Sequence, residues 1–401
     1  SHRIAQGEIF GPVLSVMTFR TPDEAVEKAN NTTYGLSAGV WTDKGSRILW
    51  LADRLRAGVV WANTFNRFDP TSPFGGFKES GFGREGGRQG IEPYVRLSPP
   101  GASPRGRPRR RTGAPRRRPE TEGASRLGVR KTYKLFLAGA MVRSESGRSY
   151  EVRTTRGEWV ANAVRASRKD VRDAVAAARK AWPGWAGATA YNRGQVLYRV
   201  AEVMEARRAE LIEEVGRLSP EADAAEEVEA SIDAWVHYAG WADKLAQIMG
   251  SLNPVAGPYF NLSVPEPTGV VGLVAPERPV LGGLVERLAA ALCGGNAVVA
   301  LASERAPLPA IALGECLATS DVPAGVVSIL TGRRAELVPV LASHLDVDAL
   351  DATGVDEDDR TAVDEAAAGN VKRVVSRHES LSPYEALAFM EMKTVWHPKG
   401  A

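Results

Sequence analysis

Cysteine is nearly missing from this 401-residue sequence: Cys293 and Cys316 are its two thiols. That excludes a disulfide framework and fits a reducing, cytoplasmic compartment. Histidine is sparse as well. His2, His237, His344, His378 and His397 are scattered without metal-ligand spacing, so no metal site is expected. Long apolar runs are also lacking. The longest mostly apolar stretch, LAAALCGGNAVVALA at 288–302, is broken by Gly294, Gly295 and Asn296 and is too short for a membrane helix, so no membrane partner is expected. Acids are missing from Ser98 to Pro119, where eight arginines gather; without them the net charge of +3 becomes −5. Basicity is therefore local, and the rest of the chain is mildly acidic. What is present is ordinary for a globular protein, 44% apolar and 25% charged, and long enough for two or three domains.

Three zones follow one another. Residues 1–97 combine turn chemistry with short apolar runs. Thr21-Pro22-Asp23-Glu24 predicts a helix start, with Thr as N-cap, Pro at the first helical position and Glu24 closing a capping box. Ala25, Val26 and Ala29 supply its narrow apolar face. SRILWLADRLRAG (46–58) reads as a helix and GVVWAN (58–63) as a strand. Residues 98–130 hold Pro, Gly and Arg with almost nothing to bury, the composition of a disordered linker. Clustered arginines can neutralise phosphates, but no aromatic is interleaved for base stacking. The reading is a solvated spacer, and nucleic acid is not the expected partner.

From Lys131 a fresh fold begins. LFLAGAMVRSESGRSYEV (135–152) reads as strands around turns, and Ser167-Arg168-Lys169-Asp170 caps a helix whose Val171, Ala174, Val175 and Ala178 share one face. One long helical stretch is expected over 191–215. Strands then alternate with helices: 269–276, 296–301, 325–330, 347–352 and 371–376 against 279–295, 307–320, 334–343 and 357–368. That alternation predicts right-handed βαβ units and a parallel, nucleotide-type sheet.

The chain opens SHRIAQGEIFGPVLSV, and its first Met, Met17, lies in an apolar, strand-like run, as though the sequence starts inside a finished fold. EIFGPVLSV, NNTTYGLSAGVWTD and VVWANTFNRFDPTSPFGGFKESGFGREGG resemble the last part of the catalytic domain of an aldehyde dehydrogenase over residues 8–97. HYAGWADKL, TGVVGLVAP and VPAGVVSILTG resemble the coenzyme-binding half of the same family over 131–383. ALAFMEMKTVWHP (386–398) resembles its C-terminal oligomerisation strand, placed at 384–401. The order is similar to the double-unit family 16 aldehyde dehydrogenases, whose second unit lacks the catalytic domain. On that resemblance the chain is a fragment, with the first unit's coenzyme domain and nucleophile upstream. The resemblance implies an α/β fold: a doubly wound parallel sheet of Rossmann type, part of a second α/β catalytic domain, and oligomerisation strands. It also implies NAD or NADP as coenzyme, an aldehyde as substrate of the parent protein, and a homo-oligomer. In the implied reaction a Cys thiolate attacks the aldehyde, hydride passes to the coenzyme, and a Glu-activated water hydrolyses the thioester to the acid.

On this resemblance Glu8 and Phe10 match residues that hold the nicotinamide ribose. A carboxylate suits vicinal hydroxyls because it accepts two hydrogen bonds; the alternative is a surface acid and a core Phe. Phe68 matches an aromatic at the substrate entrance, or is a structural aromatic. No catalytic residue is assigned. Cys293 and Cys316 lack the family's nucleophile surroundings and read as small buried hydrophobes.

The second unit departs from the pattern repeatedly. Pro276-Glu277-Arg278 stands where the family has Pro-Trp-Asn, and a carboxylate there would repel an oxyanion. Of the ribose-holding Lys-Pro-Ser-Glu, Ser303 and Glu304 remain, and of Thr-Gly-Ser, Thr353 and Gly354, followed by Asp356-Glu357-Asp358-Asp359. Each acid beside a phosphate would cost about 1–3 kcal/mol at an effective dielectric near 20. Arg377-His378-Glu379-Ser380 replaces the family's Glu-Leu-Gly-Gly, and an arginine cannot take a proton from water. The second unit reads as a pseudoenzyme.

Deleting 104–119 is expected to leave duplex-DNA mobility in a gel unchanged. A salt-dependent shift that disappears on deletion would instead assign the arginines to phosphate binding.

Overall fold

The computed structural model describes residues 4, 6–95, 131–220, 223–376 and 380–400, and the 98–130 linker lies outside the described residues. The first segment contributes α1 (Pro22–Asn30), β1 (Tyr34–Gly35), β2 (Ser37–Val40), α2 (Gly45–Arg54), β3 (Val59–Ala62), β4 (Phe77–Lys78) and α3 (Gly87–Ile91). The second opens with β5 (Thr132–Tyr133), β6 (Leu135–Leu137), β7 (Ala140–Val142), β8 (Ser149–Arg153) and β9 (Trp159–Val164). A helical layer follows: α4 (Arg168–Gly187), α5 (Ala190–Ala206), α6 (Arg208–Leu218), α7 (Ala224–Trp241) and α8 (Leu245–Met249). After β10 (Ser251–Leu252) and β11 (Tyr259–Pro267) comes the alternation β12 (Val270–Val274), α9 (Gly282–Cys293), β13 (Ala297–Leu301), α10 (Leu308–Leu317), β14 (Val327–Leu330), α11 (Arg334–Ser343), β15 (Ala349–Asp351), α12 (Arg360–Ala368) and β16 (Arg373–Val375). The last elements are α13 (Pro383–Leu387) and β17 (Met390–Pro398).

Among the described residues the largest sheet runs β16-β15-β12-β13-β14-β6-β7. Strands β12 to β16 are mutually parallel, and the chain order reverses between β12 and β15. That is the switch point of a doubly wound sheet, where ligands meet such folds. Every residue of β12 and β13 is buried, as a strand covered on both faces requires. One face packs Val271, Leu273, Val298 and Ala300 against the α5, α7, α9 and α10 side. The other sets Val270, Val274 and Val299 against α4 and α11. Each fully buried Val or Leu contributes about 1.5–3 kcal/mol.

Several local expectations are corrected. Residues 13–19 around Met17 lie exposed with no ladder partner and form no strand. The 191–215 stretch is two helices, broken at Arg207 (φ −103°, ψ 13°). Thr21 caps α1 by accepting the Glu24 N–H, but the Glu24 carboxylate takes the Arg20 N–H at 2.7 Å, so half of the capping box is displaced. Ala25, Val26 and Ala29 do not form a buried face, since α1 buries no residue. The Ser167–Asp170 box is complete.

A second sheet runs β10-β11-β17-β3-β2 and joins the two segments. β17 pairs antiparallel with β11 from Tyr259↔Pro398 to Pro267↔Met390, and parallel with β3 through Thr394↔Val59 to Trp396↔Trp61. Polar groups lock this seam. Lys393, 2% exposed, meets Glu266 at 2.6 Å and the Ala52 carbonyl at 2.9 Å. Glu391 lies between Arg84 (3.2 Å) and Arg373 (3.0 Å). Removing one member of a buried ionic group leaves charge without its partner. Glu391→Ala is therefore expected to lower the unfolding free energy by about 3–5 kcal/mol in urea titrations, and a loss below about 1 kcal/mol would mean the triad adds little.

Candidate functional site

The loops that leave the carboxyl ends of β12, β13, β14 and β15 converge at the switch point. They bring Pro276-Glu277, Ser303-Glu304, Arg333-Arg334 and Thr353-Gly354 together, with a cavity of about 770 Å³ beside them bounded by Tyr150, Glu277, Glu304, Arg305 and Arg333. In such a crevice free N–H groups at a helix start normally wait for an anion. Here Glu304 takes the N–H that opens α11, and Glu277 takes two loop N–H groups ahead of α10.

Glu277 accepts hydrogen bonds from Ser303 Oγ (2.5 Å), Glu304 N (3.1 Å) and Arg305 N (3.3 Å), and pairs with Arg334 at 3.0 Å. The Arg334 guanidinium also donates to the Ala275 and Gly354 carbonyls, one beyond β12 and one beyond β15. It thus bridges the switch point. Glu304 accepts from Arg333 (2.6 Å) and from the Arg334 N–H that opens α11 (2.8 Å). Burial pushes its carboxyl upward, but those hydrogen bonds hold it below the ordinary carboxylate range. Thr353 bonds back to Asp351 through N (2.9 Å) and Oγ1 (2.6 Å). Gly354 is needed for packing: a Cβ there would sit 2.2 Å from the Ala275 carbonyl oxygen. Asp356 to Asp359 are exposed around a short 3-10 turn, and α12 starts after it at Arg360.

Ser303 and Glu304 are therefore bonded to Glu277, and Gly354 to Arg334, while Thr353 bonds to Asp351; of the four, Glu304 lines the cavity. Glu277, which the motif comparison sets against an oxyanion, instead pairs with Arg334 at the crevice, a partner that motif position does not announce. An Arg-Arg step directly after a buried strand, facing a carboxylate in Pro276-Glu277-Arg278, was the available signal.

The other candidates lie elsewhere. Glu8 and Phe10 sit on an exposed stretch around a hollow lined only by residues between Ile4 and Ser15, and Phe10 is 92% exposed. No crevice residue lines that hollow. Phe68 is half-exposed and stacks edge-on against Trp61 (5.8 Å) and Phe74 (4.9 Å), in a surface aromatic cluster. Cys293 and Cys316 are fully buried, and burial pushes their thiols up to about 12 and about 11. Arg377, His378 and Glu379, the general-base position, lie outside the described residues. Among the described residues no three His, Cys, Asp or Glu could hold a metal, and no helix is long and apolar enough to cross a membrane. The crevice thus has its α11 N–H and two loop N–H groups, at 304 and 305, bonded to side chains of the chain itself, while the turn before α12 carries no side-chain cap.

The sequence pattern of the Aldehyde dehydrogenase family matches residues 1–98 and 141–393. Retinal dehydrogenase 2 of Homo sapiens is 34% identical over 257 residues, 62% of this chain and 49% of that protein. Aldehyde dehydrogenase 1A1 of Gallus gallus is 50% identical over 95 residues, 24% of this chain and 19% of that protein. The chain thus spans about half the length of the first and less of the second. Among solved structures, NAD-dependent aldehyde dehydrogenase from Sinorhizobium meliloti superposes with a TM-score of 0.56 at 30% identity, covering 61% of this chain and 50% of that one. An NAD+ complex of aldehyde dehydrogenase from Bacillus cereus gives 0.56 at 25% identity, covering 61% and 50%.

With both thiols raised this far, the native protein is expected to react with Ellman's reagent at pH 8 about 10²–10³-fold more slowly than the urea-unfolded chain. Rapid labelling of either native thiol would reject the reading of both as inert.

Proposed function

This chain belongs to the aldehyde dehydrogenase family, and we propose that it is the non-catalytic part of a double-unit dehydrogenase of the family 16 kind. Residues 1–97 are then the end of a working unit's catalytic domain, and 131–383 a second unit that has lost coenzyme binding. The longer protein oxidises an aldehyde to a carboxylic acid with NAD, and assembles as a homo-oligomer in the cytoplasm. In it Glu8 and Phe10 reach the coenzyme of the first unit, and Phe68 borders the aldehyde's path. Within these 401 residues no such chemistry is available.

The observation that carries this reading is the Glu277–Arg334 bridge. A dinucleotide entering the crevice would have to displace a carboxylate from three donors, each such bond worth about 1.5–3 kcal/mol, and an arginine from two carbonyls. The buried, protonated thiols agree with it.

A second reading, compatible with the first, is an assembly module. Its support is β17, which completes a sheet between two segments instead of ending free. In this role the second unit acts by holding the first segment in place.

The test is calorimetric and spectroscopic. NAD+ titrated into the 401-residue protein is expected to give no binding heat, and NAD+ with a short-chain aldehyde no absorbance of NADH. Saturable NAD+ binding would refute a closed crevice, and aldehyde-dependent NADH would refute a non-catalytic chain.

A further inference from the structure

The seam between the two segments encloses a second cavity, of about 330 Å³, away from the crevice. Lys78 and Arg56 from the first segment line it together with Arg179, Trp182 and Thr268 from the second. Lys78 Nζ donates to the carbonyls of Asn30 (2.8 Å) and Thr32 (2.9 Å). Arg56 donates to the carbonyls of Pro267 (3.3 Å) and Thr268 (2.9 Å), and stacks on Trp182 at 4.7 Å and Phe77 at 5.4 Å. Among the described residues neither cation forms an ion pair with a carboxylate, in contrast to Lys393 and Arg84 nearby.

Asp348 and Glu391 in the walls, and Glu266 nearby, attract Arg56, and Asp348 attracts Lys78, but the direct contacts of Asp348 and Glu391 go to other guanidinium groups. Arg179 is matched to Asp348 at 2.7 Å and Arg373 to Glu391 at 3.0 Å, while Glu79 and Asp346 are exposed. Burial, and then the charge of Arg56, pull the Lys78 ammonium down to about 8. Three wall atoms, Thr268 Oγ1, Trp182 Nε1 and Arg179 Nε, are buried without a hydrogen bond. Such groups are rare in native folds and call for an explanation. The cavity is also partly apolar, with Phe82, Leu345 and Val371 in its walls. Two desolvated cations without a direct ion pair among the described residues, with three unbonded buried donors and aromatic surface beside them, match an anion with an apolar body.

We propose that this seam cavity binds a small organic carboxylate, its oxygens held by Lys78 and Arg56 and its apolar part against Trp182 and Phe82. Phosphate shares the charge but not the apolar body, so it binds more weakly. Because both segments furnish walls, the ligand also ties them together.

The full chain is titrated with benzoate, acetate, inorganic phosphate and benzyl alcohol, and lysine labelling by trace acetic anhydride is followed by mass spectrometry. Benzoate is expected to bind at millimolar concentration or below and to slow labelling of Lys78 at pH 8 by about tenfold, leaving other lysines unchanged. Acetate and phosphate should protect less, and benzyl alcohol not at all. The anion favours the ammonium form, so bound benzoate moves the Lys78 labelling midpoint to higher pH. Its affinity is highest below pH 8 and falls as Lys78 loses its proton. Lys78→Met is expected to abolish binding. Should that variant fold poorly, protection in the unaltered protein decides the matter. Equal protection by benzyl alcohol, tighter binding of phosphate, or no protection by benzoate would each overturn the proposal.

Discussion

A strand inside a sheet must satisfy its backbone hydrogen bonds on both edges, and β17 does so with partners from opposite ends of the chain. On one side lies β11, which leads into β12 of the large sheet; on the other lies β3 of the first segment. The Thr394 N–H reaches the Gly58 carbonyl at 2.8 Å, and Thr394 Oγ1 the Pro73 carbonyl at 2.9 Å. Arg84 then grips the Met392 carbonyl and Glu391 together. Position of the first segment on the second follows from these contacts. They also account for charge in a place where it is otherwise costly: Glu391, Lys393 and Arg84 are buried, but each has a partner of opposite sign. Breaking such a set costs more than never having formed it. Lys78 and Arg56, on the same seam, hydrogen-bond to backbone carbonyls and form no direct ion pair among the described residues.

At the switch-point crevice, side chains from separate strand ends bond to one another across the parallel sheet. The crevice's shape is set by the parallel strands and by glycine at position 354, where a side chain would strike the β12 exit. Its chemistry is set by the few side chains at the strand ends. Two carboxylates, Glu277 and Glu304, take the N–H groups that an anion would use, and Arg334 supplies the counter-charge. Tethered groups of this kind outcompete a free ligand because no translational entropy is lost when they bind.

Much of this architecture was legible in the sequence. The strand and helix alternation from 269 to 376 appears within a few residues of its expected place, because buried parallel strands require short apolar runs bounded by turns. The Ser167–Asp170 capping box was equally readable, being local. The 191–215 stretch was not, since its break at Arg207 coincides with ion pairs to Glu210 and Glu315 that no helical periodicity announces. Met17's apolar run has the right composition for a strand, yet no described strand pairs with it. Ser303, Glu304, Thr353 and Gly354 were picked out from motif position alone; Ser303 and Glu304 bond to Glu277, and Gly354 to Arg334. Those pairings were not legible there, because hydrogen bonding between 277, 304 and 334 depends on loops folded from three separate strands.

By itself the sequence determined the family and the doubly wound sheet, which follow from motif and local pattern. Tertiary structure alone decided that β17 lies between β11 and β3, that Arg334 bridges the crevice, and that Lys78 and Arg56 line one cavity with backbone carbonyls as their hydrogen-bond acceptors among the described residues. Each of these pairs groups far apart in sequence, and a periodicity of two or 3.6 residues carries no information about which distant charge a side chain will meet.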